Sequence, residues 1–296
     1  MLTKKLLKKV IGFTVTATLC LSFSAYAAYK PELKISKNPS NYDFDGEVLK
    51  YRLYWTIFHV ADSESRAEKL PDGLYKFYGS VSTAGVAAWF KKIEDSGYSV
   101  WNPKTLCPVK TVIVQKEGHY IRKKVYIYDL DNGTVTYEKI HPTTGKIQKK
   151  LIKIPVKPFE DLVTATFFFR KYGIFKVGEE TIFPLFAGGK FQNVSFKVVA
   201  KQKIDTLMGK LEAYKVIPSN NLSPEGAFKR TGKVVFWFTA DKRHIPIKIE
   251  AQVAIGSVSA VLVDAKGKNF DLRKEAEKQQ EKNLMERMLQ GIFGGD

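Results

Sequence analysis

The stretch that most limits the fold is 231–263, TGKVVFWFTADKRHIPIKIEAQVAIGSVSAVLV. It opens at 233–239 with a run of β-branched and aromatic residues and turns through a polar corner at 240–244. Apolar and polar residues then alternate at 245–254, and a Gly-Ser turn leads to an apolar run at 258–263. Period-two alternation bounded by turn residues predicts half-buried antiparallel strands, here a β-meander.

Residues 98–114 carry an earlier version of the same pattern. Tyr-Ser-Val-Trp at 98–101 is followed by a polar corner at 102–105, Pro108 and an alternating strand at 109–114. Both segments read strand, Trp, polar corner, Pro, alternating strand, with Trp101 answering Trp237. Further strands are predicted at 46–60 (continuing through 61–70), 74–83, 119–129, 134–140, 146–156, 180–186, 191–202 and 207–217. Asp131-Asn-Gly133 is a hairpin signal, because Asn and Gly tolerate positive φ. Residues 85–93 fit a helical turn or a bulged edge, and 220–229 form a polar loop, the candidate mobile segment.

One internal helix is predicted at 158–173. Pro158, Glu160 and Asp161 sit in its first turn, Arg170 and Lys171 in its last, and Gly173 is placed to cap it. Leu162, Ala165/Thr166 and Phe169 recur at helical spacing, and Val163 and Phe167 widen the stripe enough to close over a curved sheet. The expected fold is mainly β (β-rich α+β): a curved antiparallel sheet or half-barrel closed by a helix, with a C-terminal helical tail.

The ends of the chain read differently. Lys4, Lys5, Lys8 and Lys9 precede an apolar run at 10–23, and Ala25-Tyr-Ala27 is a small-x-small cleavage signal. Residues 1–27 therefore read as a cleaved export signal, with a retained anchor as the alternative. Residues 28–269 read as a single β-rich domain and 270–296 as a charged, amphipathic helical tail. Leu284, Met285, Met288, Leu289, Ile292 and Phe293 give that tail an apolar side. It fits either a frayed terminal helix or one that docks on a membrane surface or partner. Export implies a periplasmic location, secreted or membrane-associated forms being the alternatives. Without the leader only Cys107 is left, so no intrachain disulfide forms.

Charge narrows the partners. The chain has 48 Lys+Arg against 30 Asp+Glu, net +18. Four of the lysines and none of the acids lie in 1–27, which leaves the mature chain at +14. Such a surface favours lipid headgroups or an anionic envelope polymer, and in an exported protein it ranks nucleic acid below both. A solvated lysine-rich surface is the competing reading.

Motifs for chemistry are missing. His59, His119, His141 and His244 are isolated, and there is no HExxH, CxxC, GxSxG, phosphate loop or GxGxxG. No metal site, cofactor or catalytic residue is expected. Cys107 beside Pro108 reads as a small buried hydrophobe. Glu160/Asp161 read as helix-start acids, and no carboxylate pair is placed for glycan hydrolysis. The aromatics, 13% of the chain, alternate along the strands. Most belong in a core, but a half-closed sheet capped by an aromatic helix can leave an apolar cavity. Tyr51, Trp55, Trp101, Phe167, Phe169, Phe236 and Trp237 are the candidate ligand wall.

Taken in order, GEVLKY at 46–51, STAG at 82–85, YSVWNPKTLCP at 98–108, FEDLVTATFFFR at 159–170, GKLEAYKV at 209–216 and VFWFTADKRHIPIKI at 235–249 resemble the bacterial domain-of-unknown-function family 3108. That resemblance carries no functional residues. More loosely, the Trp–corner–Pro hairpin is similar to that of periplasmic lipoprotein-carrier-like proteins. It implies a curved apolar sheet closed by helices that holds acyl chains. The expected function is non-enzymatic binding or carriage of a lipid-like or lipoprotein ligand in the cell envelope. An envelope assembly protein using its basic surface and tail is the alternative, and a glycan-acting enzyme the second.

Overall fold

The computed structural model of the chain describes residues 29–85, 87–218, 234–252 and 256–293. The leader at 1–27 and the loop at 220–229 lie outside the described residues. Eight strands come first: β1 (Val48–Trp55), β2 (Phe58–Lys69), β3 (Tyr75–Thr83), β4 (Glu94–Asn102), β5 (Cys107–Glu117), β6 (Tyr120–Asp129), β7 (Thr134–Ile140) and β8 (Ile147–Lys153). The second group is β9 (Glu160–Asp161), β10 (Glu180–Ala187), β11 (Lys190–Thr206), β12 (Gly209–Pro218), β13 (Val234–Thr239), β14 (Pro246–Gln252) and β15 (Ser257–Gly267), with β16 (Phe270–Asp271) paired onto β15. Three helices are interleaved: α1 (Ala87–Phe90), α2 (Thr164–Tyr172) and α3 (Leu272–Phe293).

The topology is simple. Strands β1 to β8 each pair with their neighbour in sequence, as do β9 to β15, and one seam between β1 and β15 joins the two runs. That seam is antiparallel, from Val48↔Lys266 to Trp55↔Val258. It follows that β8 and β9 are the two edges, although only residues 154–159 separate them. Seven peptide steps span at most about 25 Å, whereas the edges of a flat fifteen-strand sheet would lie on the order of 65 Å apart. The sheet must curl until its edges meet. They meet through side chains, not a backbone ladder: Tyr128 packs against Phe159 at 5.6 Å and Phe186 at 5.8 Å between ring centroids, around Cys107, Val135 and Ile154. The sheet is curved and open, as the alternation implied.

Inside the curl lies α2. Phe167, Phe168 and Phe169 are consecutive, so they project in three directions, and only a helix walled on several sides can bury all three. Phe167 stacks on Phe77 of β3 at 3.8 Å, Phe168 meets Phe183 of β10 at 4.9 Å, and Phe169 meets Phe238 of β13 at 5.2 Å. Each buried ring contributes about 1.5–3 kcal/mol. The helix is thus a core element rather than a lid laid over the sheet.

It also starts later than the pattern predicts, at Thr164 instead of Pro158. The carboxylate of Asp161 accepts the N–H groups of Val163 (2.7 Å) and Thr164 (2.8 Å), capping the first turn there. Glu160 and Asp161 are meanwhile drawn into the sheet as β9, parallel to Leu185 and Phe186. At the other end Gly173 is not left-handed: its φ is −66° and its N–H reaches Phe169 O. Glycine is needed for room, since a Cβ there would meet that carbonyl at 2.4 Å.

The last turn of α2 holds a fully buried ion pair. Arg170 and Glu47, at the start of β1, form a two-pronged pair with both N–O distances 2.6 Å, and each side chain is 1% exposed. The same guanidinium donates to the carbonyl of Arg243 in the 240–244 corner, at 3.1 and 3.0 Å. Tyr42 Oη donates to Glu47 at 2.9 Å. Arg243 in turn grips Glu275 of α3 with two 2.9 Å bonds.

The two Trp–corner–Pro hairpins are alike in more than sequence. Each has a register shift, between Val100 and Trp101 and between Trp237 and Phe238, and each has a left-handed residue ahead of its proline, Leu106 and His244. Register pairs Trp101 with Pro108 and Phe238 with Pro246. Trp101 therefore corresponds to Phe238, not to Trp237.

Removing one member of a buried ion pair strands the other and typically costs 3–5 kcal/mol. Glu47→Gln should cost about that much in urea unfolding. Arg170→Met combined with Glu47→Leu should cost less than the two single losses added together. Strict additivity would show that the pair is not the tie described here.

Candidate functional site

Between α2 and the sheet the core leaves a cleft of about 390 Å³, within the usual range of ligand sites. Its walls are Leu49, Tyr51 and Leu53 of β1, Ile249 and Ala251 of β14, and Val258 and Ala260 of β15, with Leu162, Val163, Thr166 and Phe167 above. The floor is a row of directly opposed residues across five strands: Leu49, Ser65, Gly79, Gly97 and Ile113. Its middle is made of the smallest side chains, so the sheet is one backbone thick there.

The two glycines differ in cause. A Cβ on Gly97 would strike Val112 O at 2.7 Å, so the sheet itself excludes a side chain. A Cβ on Gly79 would meet nothing within 4 Å. Glycine weakens a strand interior and is common where a ligand approaches closely. At Gly79 no packing requires it, and what its absence of side chain preserves is the cleft. A larger depression of about 750 Å³ lies behind the same glycines on the convex face, lined by Glu64, Arg66, Glu68, Tyr78 and Tyr98. Its charged rim makes it a surface groove.

Of the expected wall residues, Tyr51 and Phe167 line the cleft. The hydroxyl of Tyr51 donates to Pro246 O at 2.8 Å, which leaves its ring to the cavity. Trp101 and Phe169 are 3% and 1% exposed within the aromatic core, and Phe236 is partly buried against it. Trp55 packs beside Val60, Ala87 and Ile93. Trp237 alternates with Phe236 and Phe238 along β13 and points to the opposite side of the sheet, where its opposed neighbours Lys215 and Lys248 lie over its ring at 5.9 and 5.1 Å.

A second polar cluster sits deeper. Asp161 accepts bonds from Ser99 Oγ (2.6 Å) and from Thr111 Oγ1 besides capping α2. Glu160 accepts Trp101 Nε1 at 3.1 Å. Burial holds the Glu160 carboxyl well above the usual carboxylate range, with Asp161 adding to the effect. A raised carboxyl beside a second carboxyl resembles an acid–base pair. These two are 0% and 3% exposed and neither lines the cleft, so they lock β9 to β4 and β5. Burial likewise pushes the Cys107 thiol up to about 11, which suits packing and not attack. His244 stacks on Phe175 at 3.6 Å, and His59 pairs with Asp62 at the surface. Among the described residues no group of three or more His, Cys, Asp or Glu could hold a metal.

One carboxylate borders the cleft wall. Asp95 of β4 is opposite Val81, which lines the cleft. Its Oδ1 accepts Lys116 N–H at 2.8 Å and its Oδ2 is buried without a partner. Burial, with nearby Glu117 adding, pushes its pKa up to about 6.

The chain is similar to several known proteins. The sequence model of DUF3108, described as a protein of unknown function, matches residues 50–263. No curated protein matches the sequence. Among solved structures, a beta-barrel-like protein of domain of unknown function DUF1849 from Brucella abortus is 8% identical, covering 77% of this chain and 99% of that one at a TM-score of 0.49. A candidate exported protein with a YmcC-like fold from Bacteroides fragilis is 11% identical, with 75% and 96% covered at 0.29. A candidate lipoprotein from Parabacteroides distasonis is 13% identical, with 75% and 95% covered at 0.26.

Asp95 generates a pH prediction. A carboxyl whose folded pKa is raised from 3.8 to about 6 favours folding below the lower value and loses that advantage as pH rises through the higher one. Asp95→Asn should match wild-type stability near pH 4. It should then gain on wild type through pH 6, ending on the order of 3 kcal/mol more stable at pH 7.5. Parallel stability curves would contradict the assignment.

Proposed function

The chain belongs to the DUF3108 family, whose description gives no activity, and from that premise we propose that it is a periplasmic envelope protein that binds a lipid-like ligand without catalysis. The alkyl part of the ligand lies in the cleft beneath α2. The observation that carries the proposal is the apolar cavity of about 390 Å³ over Gly79, where nothing stands within 4 Å of a built Cβ. Apolar walls with a few polar groups are what a small-molecule site needs. The leader-like sequence at 1–27 supports export. The carboxylates nearest the core, Glu160 and Asp161, are sealed from solvent.

A second reading, as an envelope assembly protein, draws on α3. Its start is tied down by Leu272, 3% exposed, and by Glu275 on Arg243. Beyond Ala276 the side chains that the structure describes are exposed, Met285 and Met288 at 64% and 60%. No helix among the described residues is long and apolar enough to cross a membrane, so α3 would act at a surface.

Two experiments separate these readings. Gly79→Phe should fill the cleft and weaken a fluorescent long-chain fatty-acid probe at least about tenfold, about 1.4 kcal/mol, with the melting temperature unchanged or raised. Unchanged affinity in a folded variant would sink the cleft proposal. Truncation after Gln279 keeps the Leu272 and Glu275 contacts. If the projecting half of α3 is the docking element, that truncation should abolish co-sedimentation with vesicles rich in phosphatidylglycerol. Full co-sedimentation of the truncated chain would remove the second reading.

A further inference from the structure

One end of the sheet shows large apolar side chains where turns usually carry polar ones. β1 and β2 are joined by the two-residue turn 56–57, with Trp55 opposite Phe58. Thr56 stands there at φ 56°, in a kind of turn that favours Gly, Asn or Asp, and a β-branched residue is strained in that region. The sequence thus accepts a cost in this turn, and what the turn presents is Ile57 and Phe58, 77% and 58% exposed. An observed outlier of this kind is a fair starting point for a functional reading.

Helix α1 lies beside that turn. Ala84 N–H donates to Val60 O at 2.9 Å, and Ala87 is buried with Val60 and Ile93 against Leu53 and Trp55. Trp89 follows Ala87 by two residues, about 200° around the helix, and is 87% exposed. The β5–β6 turn reaches the same end: Gly118 N–H donates to Lys92 O at 2.9 Å, Lys91 pairs with Glu117, and Tyr120 is 40% exposed. Three separate connections therefore bring exposed Ile, Phe, Trp and Tyr to one end. Around them stand Lys91, Lys92, Lys116, Arg122, Lys123 and Lys146, with Asp62, Glu94 and Glu117 as the exposed or half-buried acids. Lys91 and Lys92 are matched by Glu117 and Glu94, Asp62 faces His59, and the buried Asp95 has Lys124 in electrostatic range. Lys116, Lys123 and Lys146 still leave this end cationic, like the mature chain as a whole.

We infer that this end docks on an anionic lipid bilayer, with Ile57, Phe58 and Trp89 entering the boundary between headgroups and acyl chains. Apolar tips with Trp and Tyr at headgroup level and cations behind them are the composition of an interfacial anchor. The net positive charge selects an anionic surface over a neutral one. Leu53 both lines the cleft and packs beneath α1, so docking here sets the cleft next to the lipid. The docking itself needs no ligand in the cleft and stands or falls apart from that reading.

The test is co-sedimentation of the full mature protein with vesicles of phosphatidylethanolamine and phosphatidylglycerol. Ile57→Ser/Trp89→Ser should lower the partition coefficient at least about tenfold, with the melting temperature unchanged, because both side chains are exposed. Truncation after Gln279 should leave binding intact. Brominated acyl chains should quench part of the wild-type tryptophan fluorescence, and Trp89→Ser alone should remove that quenched part, since Trp101 and Trp237 are buried and Trp55 is half-buried. Vesicles of phosphatidylcholine alone should bind more weakly. Unchanged partition of the folded double variant overturns the inference, as does quenching that persists in Trp89→Ser. Wild-type protein that ignores both kinds of vesicle overturns it too, and equal binding to the two overturns the choice of an anionic surface.

Discussion

Six residues, 154–159, join opposite edges of a fifteen-strand path, and most of the architecture follows from that short link. A sheet this wide cannot stay flat when its first and last strands are tethered. It curls, and curling creates an inside that must be filled. The filling is α2, whose three consecutive phenylalanines each meet a different wall. The edges then close through aromatic side chains around Phe159, Phe186 and Tyr128, leaving the β8 edge exposed. That edge bears Lys149, Lys150 and Lys153, and edge lysines discourage pairing with another chain.

A helix inside a curled sheet needs to be held at one depth. Arg170 does this by joining Glu47 at the start of β1 and the carbonyl of Arg243 at the 240–244 corner. A buried pair of this kind contributes little net stability compared with apolar packing, yet breaking half of it is costly. Its effect is positional. With α2 anchored at its C-terminal turn, the N-terminal residues Leu162, Val163 and Thr166 stand over Gly79 and Gly97 without filling the space between. The cleft is thus a product of where the helix is tied and of how small the floor is.

Much of this was legible in the sequence. Alternation placed the strands at 245–254 and 258–263 close to where β14 and β15 lie, and Asp131-Asn-Gly133 turns with Gly133 at φ 64° as its residue types require. Other features were not, each for a physical reason. The helix start at Thr164 depends on Asp161 capping the turn and on β9 joining β10, and the latter is a tertiary event. The Glu47–Arg170 pair spans 123 residues, and Arg170 read as an ordinary last-turn cation. The match of Trp101 to Phe238, and with it the side that Trp237 faces, depends on the strand register at each corner.

The central claim is that the curled sheet keeps an occupied apolar cleft beneath α2. Native mass spectrometry of the wild-type protein, isolated from envelope extracts without detergent exchange, tests it most directly. The account predicts a one-to-one complex that releases a single alkyl-chain compound on activation. A spectrum holding only the bare chain mass under the gentlest conditions would contradict it.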